Sequence, residues 1–389
     1  MKKKKICIIT GSRADYGLLY WLIKEVEANK NFELQLVVTG MHLSREFGYT
    51  YKVIEKDFKI DKKIDMKLTS DSTIDISKSM SIAQVKFTKA YNRLNPDIIV
   101  VLGDRYEIFS AASAGMMAKI PIAHIHGGET TEGAVDEAIR HCITKMSQLH
   151  FTATEEYKNR VIQLGENPSR VFNVGGTGIE NINRLKLLRK NDFENLINFK
   201  LNKKNILVTF HPVTLENNTS KYQFKELLDA IDDLEDTNII FTKTNSDSNG
   251  KIINLMIDKY TKKNSQKSIA FISMGQLKYL SALKHVDLII GNSSSGLLEA
   301  PSFKIGTINI GDRQKGRINA KSVVNCLPNK ISINRAIKKV YSKKFQEDLK
   351  NIKNPYDNGY SSKKIAKVLK KKSFENILKK IFFDVKINL

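Results

Sequence analysis

Short, nearly continuous apolar runs recur along this chain. Each is followed by a loop of charged or small residues and then by a stretch with helical spacing. The first half holds KICIIT, ELQLVVTG, DIIVVLG, PIAHIHGG, HFTAT and FNVGG; the second holds NILVTFHP, TNIIFTKTN, IAFISMG, VDLIIGNSSSG and TINIGDR. Apolar runs without polar alternation describe strands buried on both faces, and the helical stretches between them (residues 74–94 and 134–148, for example) supply the covering layers. The pattern predicts an α/β protein made of two Rossmann-like, doubly wound domains. A chain of 389 residues is also long for a single core. The expected organisation is an N-terminal domain over 1–178, connecting helices over 179–203, a C-terminal domain over 204–360 and a basic helical tail over 361–389 that packs back across a domain. Ligands of such sheets bind beyond the carboxyl ends of the strands, so two of them are expected to face a common cleft.

Composition narrows the function classes. Hydrophobic residues at 41% and charged residues at 27% fit a soluble globular chain. No apolar run approaches the roughly 18 residues that cross a bilayer. The start, MKKKKICIITGSRADY, is basic, but its apolar run from Ile6 to Ile9 is too short for a signal peptide and reads as a first strand, so a cytoplasmic protein with no membrane partner is expected. Cys7, Cys142 and Cys326 form no CxxC pair, which points away from zinc knuckles and disulfide frameworks. The net charge of +23 raises the question of nucleic acid. The lysines are scattered, however, with dense clusters only at Lys2–Lys5 and in KKIAKVLKKKSFENILKK, and no nucleic-acid-binding signature accompanies them. Nucleic acid is therefore not an expected partner; attraction of anionic substrates is compatible with the charge.

The residues after each strand carry the chemistry. Arg13 and Asp15 follow the first strand, and Asp104-Arg105-Tyr106-Glu107 follow DIIVVLG. In the second half, His211-Pro212 follow NILVTF, Asn292 to Gly296 follow VDLIIG, and Asp312-Arg313 follow TINIG. GNSSSGLLEA reads as a small-residue loop entering a helix, whose hydroxyls, N–H groups and dipole suit an anion; alone it could equally be a serine N-cap. Arg13, Arg105 and Arg313 at neighbouring strand ends supply the cations that a diphosphate needs. Neither a P-loop nor a complete GxGxxG motif is present, which argues against ATP hydrolysis and nicotinamide chemistry.

The stretch HIHGGETTEGAVDEAIRH, residues 124–141, is the densest in imidazoles and carboxylates. His124 and His126 share one face of a strand, so a metal site, an acid/base site and a plain core strand all compete. The HIH pair has no third ligand at a recognisable spacing and no HExxH motif. It is read as the end of a buried strand, with His126 facing the cleft, Glu129 in the turn and Asp136 delivered by the following helix. On that helix Asp136 and Arg140, like Glu137 and His141, stand at the i,i+4 spacing of ordinary helix-stabilising pairs.

GSRADYG, TGMHLS, VLGDRYE, HIHGGE…DEAIRH, FHPVT, GNSSSGLLE and GDRQKGR occur in the order found in the hydrolysing UDP-N-acetylglucosamine 2-epimerases of sialic-acid and legionaminic-acid biosynthesis. The resemblance spans residues 5–345. It implies a GT-B-like fold, a nucleotide-sugar substrate, no metal or redox cofactor, and a homodimer or homotetramer. The implied reaction takes UDP-N-acetylglucosamine and water to N-acetylmannosamine and UDP. Close relatives act instead on UDP- or GDP-linked N,N'-diacetylbacillosamine, and non-hydrolysing epimerases and GT-B glycosyltransferases are the remaining alternatives. The C2 proton has no adjacent carbonyl to acidify it, so its removal must accompany departure of the nucleoside diphosphate from C1. By motif position the resemblance places Arg13, Arg105, His211, Asn245, Ser293, Ser294, Glu299 and Arg313 around the nucleotide, with Glu299 on the ribose hydroxyls. It places Asp104 and Asp136 at catalytic carboxylate positions. Many wider-family members read HIE where this chain reads HIH, so either His126 or Glu129 takes the work of that glutamate. His211 completes the catalytic candidates.

Overall fold

The computed structural model describes residues 3–70, 72–132, 135–212, 219–244 and 250–386. Its strands fall into two all-parallel sheets. The first holds β1 (Lys4–Thr10), β2 (Phe32–Thr39), β3 (Lys62–Ile64), β4 (Ile98–Leu102), β5 (Ile122–Ile125), β6 (Leu149–Thr152) and β7 (Val171–Asn173), in the order β3-β2-β1-β4-β5-β6-β7. The second holds β8 (Lys204–Thr209), β9 (Thr237–Thr242), β10 (Ser268–Phe271), β11 (Leu288–Gly291), β12 (Gly306–Ile310) and β13 (Val323–Cys326), in the order β10-β9-β8-β11-β12-β13. Both are doubly wound Rossmann-like sheets. Strand order reverses between β1 and β4 in one and between β8 and β11 in the other, and such switch points open a crevice beyond the carboxyl ends of the strands.

The continuous apolar runs are explained by two-sided burial. In β1, Ile6 and Ile8 enter one core cluster with the helix Arg13–Ala28, while Cys7 and Ile9 point the other way, into a cluster with the helices Thr73–Leu94 and Tyr106–Met117. The period of two along the strand distributes one run over two cores. In the second sheet Ile206 and Val208 of β8 serve one face and Leu207 the other. The strand β3 is absent from the apolar runs because KKI has a single apolar residue; parallel pairing of Val37–Thr39 with Lys62–Ile64 defines it.

The chain divides into two compact units. Unit 1 comprises Met1–Glu129, Val135–Asn181 and Asn358–Leu389; unit 2 comprises Thr130–Ala134 and Ile182–Asp357. The stretch 179–203 contains the end of the helix Thr177–Arg184 and all of the helix Lys190–Ile197, which buries Phe193 and Ile197 in a core cluster of unit 2. The C-terminal helix Ser361–Lys371 places Ile365, Ala366 and Leu369 in the core that contains Leu19, Leu22 and Ile23. Its N-terminus is capped from a distance: Glu180 accepts hydrogen bonds from the Ser362 backbone N–H at 2.8 Å and the Ser361 hydroxyl at 3.1 Å. A carboxylate there satisfies orphan donors and meets the positive end of the helix. Beyond it, Arg170 donates to the Ile377 carbonyl at 2.8 Å, and Phe383 N–H donates to the Gly165 carbonyl at 3.0 Å.

Candidate functional site

Unit 1 gathers its acid/base candidates at the ends of β4 and β5. His124, inside β5, is fully buried; its Nε2 lies 2.8 Å from the Gly103 carbonyl and its Nδ1 3.1 Å from the Thr144 hydroxyl. Burial holds its pKa down to about 3, so it is a neutral, hydrogen-bonded core residue. His126 does not continue the strand face. Just past β5 it adopts φ = 68°, a left-handed conformation that costs energy in a residue with a Cβ and that concentrates at functional sites. The turn carries its ring to Glu129, with Nδ1 3.2 Å from Oε1, and to Thr177, whose N–H donates to Nε2 at 3.3 Å. His126 and Glu129 therefore stand as a joined pair rather than as alternatives.

Asp104 is held by Arg140, which the helical spacing pairs with Asp136 instead. Arg140, only 1% exposed, forms an ion pair with Asp104, donates to Glu137 at 2.6 Å and donates to the Glu129 carbonyl at 2.7 Å. The i,i+4 spacing suggests Asp136 as its partner, but the ion pairs run to Asp104, brought in from β4, and to Glu137; Glu137 and His141 do pair, at 3.1 Å. Asp136, half-buried on the first turn of the helix Val135–Met146, has its pKa raised by burial and by the charge of Asp104, with Arg105 and Arg140 opposing. Arg105 stands at the N-cap of the helix Tyr106–Met117 and donates from Nε to Glu107 at 2.5 Å. Arg13 is exposed at the start of the helix Arg13–Ala28, after β1.

Unit 2 gathers a second set around the ends of β8, β11 and β12. The close approach of β11 to β8 requires Gly291: at φ = 146°, a Cβ there would lie 1.9 Å from the Thr209 carbonyl oxygen. The next residue, Asn292, locks His211 in place. Its Oδ1 accepts from the His211 N–H at 2.7 Å and its Nδ2 donates to the His211 carbonyl at 2.8 Å. The Asn292 carbonyl in turn accepts from Arg313 at 3.0 Å and Gln314 at 2.9 Å. His211 is thus fixed beside a guanidinium; burial and the charge of Arg313 hold its pKa down to about 3. Its Nδ1 is buried and has no hydrogen-bond partner among the described residues.

Ser293 and Ser294 are half-buried in the turn that follows Asn292. The helix expected there is a single α-turn, Ser295–Leu298, continued by a 3₁₀ turn, Ala300–Phe303. So short an element carries little macrodipole, which leaves hydroxyls, N–H groups and Arg313 as the donors available at this turn. Glu299 has its pKa raised to about 7 by burial, against the hydrogen bond of Ser295 and the charge of Arg317. Tyr279 donates to the Ser295 hydroxyl at 2.7 Å. Asn245 lies outside the described residues. Sequence reasoning missed Arg140, Asn292, Gln314 and Tyr279 as organisers. For Asn292 and Gln314 a signal existed, since both lie inside motifs singled out for their neighbours; Arg140 and Tyr279 meet partners 36 and 16 positions away.

The sequence profile of the UDP-N-acetylglucosamine 2-epimerase family matches residues 24–370. A GDP/UDP-N,N'-diacetylbacillosamine 2-epimerase (hydrolyzing) from Campylobacter jejuni is 46% identical over 386 residues, covering 99% of this chain and 100% of that protein. Polysialic acid biosynthesis protein P7 from Escherichia coli is 44% identical over 355 residues, covering 91% of this chain and 90% of its own. Among solved structures, the UDP-GlcNAc 2-epimerase from Neisseria meningitidis bound to UDP-GlcNAc superimposes with a TM-score of 0.79 at 20% identity, over 95% of this chain and 100% of that one. A profile match over most of the chain, relatives this similar at nearly full length and a shared two-unit parallel-sheet fold agree: the chain belongs to the UDP-N-acetylglucosamine 2-epimerase family.

Proposed function

We propose that this protein is a hydrolysing nucleotide-sugar 2-epimerase that converts UDP-N-acetylglucosamine and water to N-acetylmannosamine and UDP. The observation that carries the reading is the cluster at the ends of β4 and β5, where Asp136 is raised by burial and by Asp104 while Arg140 grips Asp104. Neighbouring carboxyls placed in different environments divide acid from base work. In the proposed reaction a carboxylate takes the C2 proton as the C1–O bond breaks, and the electron pair of that bond leaves on the diphosphate. The resulting 2-acetamidoglycal then gains hydroxyl at C1 and a proton at C2 from the opposite face, which inverts C2. Asp136 is the assigned proton carrier on one face. The His126–Glu129 pair is assigned to the other, in place of the glutamate that other family members carry.

The unit 2 residues fit the leaving group. An imidazole with a pKa near 3 is too weak a base to take a proton at neutral pH, so His211 is assigned as a neutral hydrogen-bond partner of the diphosphate. Arg313, Ser293 and Ser294 add charge and donors, and Glu299 takes the ribose hydroxyls; Arg13 and Arg105 are assigned to the diphosphate by their motif positions alone. A second reading has a specific support: the full-length 46% identity to a diacetylbacillosamine epimerase favours a UDP- or GDP-linked diacetamido sugar. The segments 43–49 and 130–135 are candidates to sense the C4 and C6 substituents. Phosphorus NMR of reactions with UDP-N-acetylglucosamine and with UDP- and GDP-diacetylbacillosamine separates these readings. Release of free nucleoside diphosphate identifies the substrate; an intact, epimerised nucleotide sugar in every reaction would contradict hydrolysis.

A further inference from the structure

Two buried acids outside the proton-transfer cluster share a single strand end. Asp15 (8% exposed) and Glu107 (1% exposed) come from the helices that follow β1 and β4, the strands flanking the switch point of the first sheet. They meet at Gly11. Its N–H donates to Asp15 Oδ2 at 3.3 Å, and a Cβ built on it would lie 2.6 Å from Glu107 Cγ and 2.7 Å from Glu107 Oε1. Glycine is therefore needed to let the Glu107 side chain pass. One oxygen of Glu107 accepts from Arg105 Nε at 2.5 Å; the other is buried without a hydrogen-bond partner among the described residues.

Burying a carboxylate this deeply is costly unless it is paired, and a purely structural partner would be expected to cover both oxygens. Here one buried acid is committed to the inner edge of one guanidinium. Arg105 also reaches the Met41 sulfur at 3.6 Å from Nη2, and its side chain remains 37% exposed. A guanidinium pinned at Nε has a fixed direction, and with only a weak sulfur acceptor at Nη2 it keeps N–H donors for phosphate oxygens. The second acid feels this crowding: burial, then the neighbouring Glu107, raise the pKa of Asp15 to about 6.

We propose that Glu107 is a positioning residue that aims the Arg105 guanidinium at the diphosphate of the nucleotide, with Gly11 supplying the space that this requires. The inference rests on the reading of Arg105 as a diphosphate ligand. It implies that Glu107 contributes to nucleotide affinity only through Arg105.

The test is a double-mutant cycle read as UDP affinity by titration calorimetry, a measurement independent of turnover. Arg105→Met and Glu107→Gln should each weaken UDP binding by about tenfold or more. The double variant should be no weaker than Arg105→Met within about twofold, because groups acting through one another are not additive. Should Glu107→Gln fail to fold, Gly11→Ala, which displaces Glu107 without removing a charge, should show the same loss and the same non-additivity. Losses that multiply in the double variant, or unchanged affinity in Arg105→Met, would overturn the proposal. If the wild-type protein binds UDP but releases none from any nucleotide sugar, the epimerase reading fails while the cycle still decides the role of Glu107.

Discussion

At the scale of the residue, Asp136→Asn should lower turnover by about 10²-fold or more, because an amide cannot carry the proton. Protein stability should change little at this half-buried position, so a stopped assay with a normal melting curve is the expected pair of results. Asp104→Asn should lower turnover comparably. His211→Ala should cost both turnover and UDP affinity, yet kcat/KM, which reports the free enzyme, should show no limb near pH 6.5, since the imidazole is held neutral there. A limb near that value that vanishes in His211→Ala would assign it a proton-transfer role instead. Glu299 carries a pH prediction with a definite sign. Its carboxyl is raised to about 7, and the ionised form, an acceptor at both oxygens, suits two ribose hydroxyls better than the protonated one. UDP affinity should therefore strengthen as pH rises through about 7, and Glu299→Gln should reduce that dependence to what the terminal phosphate of UDP, with a second pKa of about 6, contributes alone. The clustering of these residues within each unit is legible in strand-end motifs, because a doubly wound sheet exposes the residues that follow its strands. Arg140 was not legible. Its ion pair with Asp104 spans 36 positions and depends on the distance between two neighbouring strand ends, which no local pattern encodes.

At the scale of the element, the helix Val135–Met146 and the C-terminal segment meet in a buried charge cluster. Glu166, 1% exposed, lies 3.0 Å from His150 Nε2, 2.7 Å from Lys145 Nζ and 2.7 Å from Lys380 Nζ. Burial alone would raise its pKa, but the hydrogen bonds and charges of these partners outweigh it and hold the group down to about 2. A carboxyl depressed on folding stabilises above its unfolded value of about 4.3 and loses that contribution as pH falls toward the folded value. Lys380→Met should accordingly lower the melting temperature at pH 7 by more than at pH 3. Equal losses at both pH values would contradict the pairing. Arg140→Met leaves Asp104 and Glu137 without their shared cation and should destabilise by about 3 kcal/mol, allowing for their partial exposure, as read by denaturant unfolding. The strands themselves were readable because two-sided burial demands unbroken apolar runs. The edge strand β3 was not, since KKI is set by its pairing to β2 rather than by its own composition. The helix expected after Asn292 is present but only one turn long, because small residues signal the turn and not how far a helix continues.

At the scale of the whole molecule, the net charge of +23 admits electrostatic attraction for any polyanion. Duplex DNA binding, if present, should collapse with salt, whereas recognition of UDP by fixed hydrogen bonds should persist and raise the melting temperature. At a ligand concentration of 100 Kd the stabilisation is about 2.7 kcal/mol. The central claim is elimination through a glycal followed by hydration. Its most direct test is the reaction in deuterated water, with the sugar product analysed by proton NMR and mass spectrometry. Elimination and hydration predict a free manno-configured sugar carrying one deuterium at C2, together with free nucleoside diphosphate. A manno product that retains its original C2 hydrogen would contradict the mechanism outright.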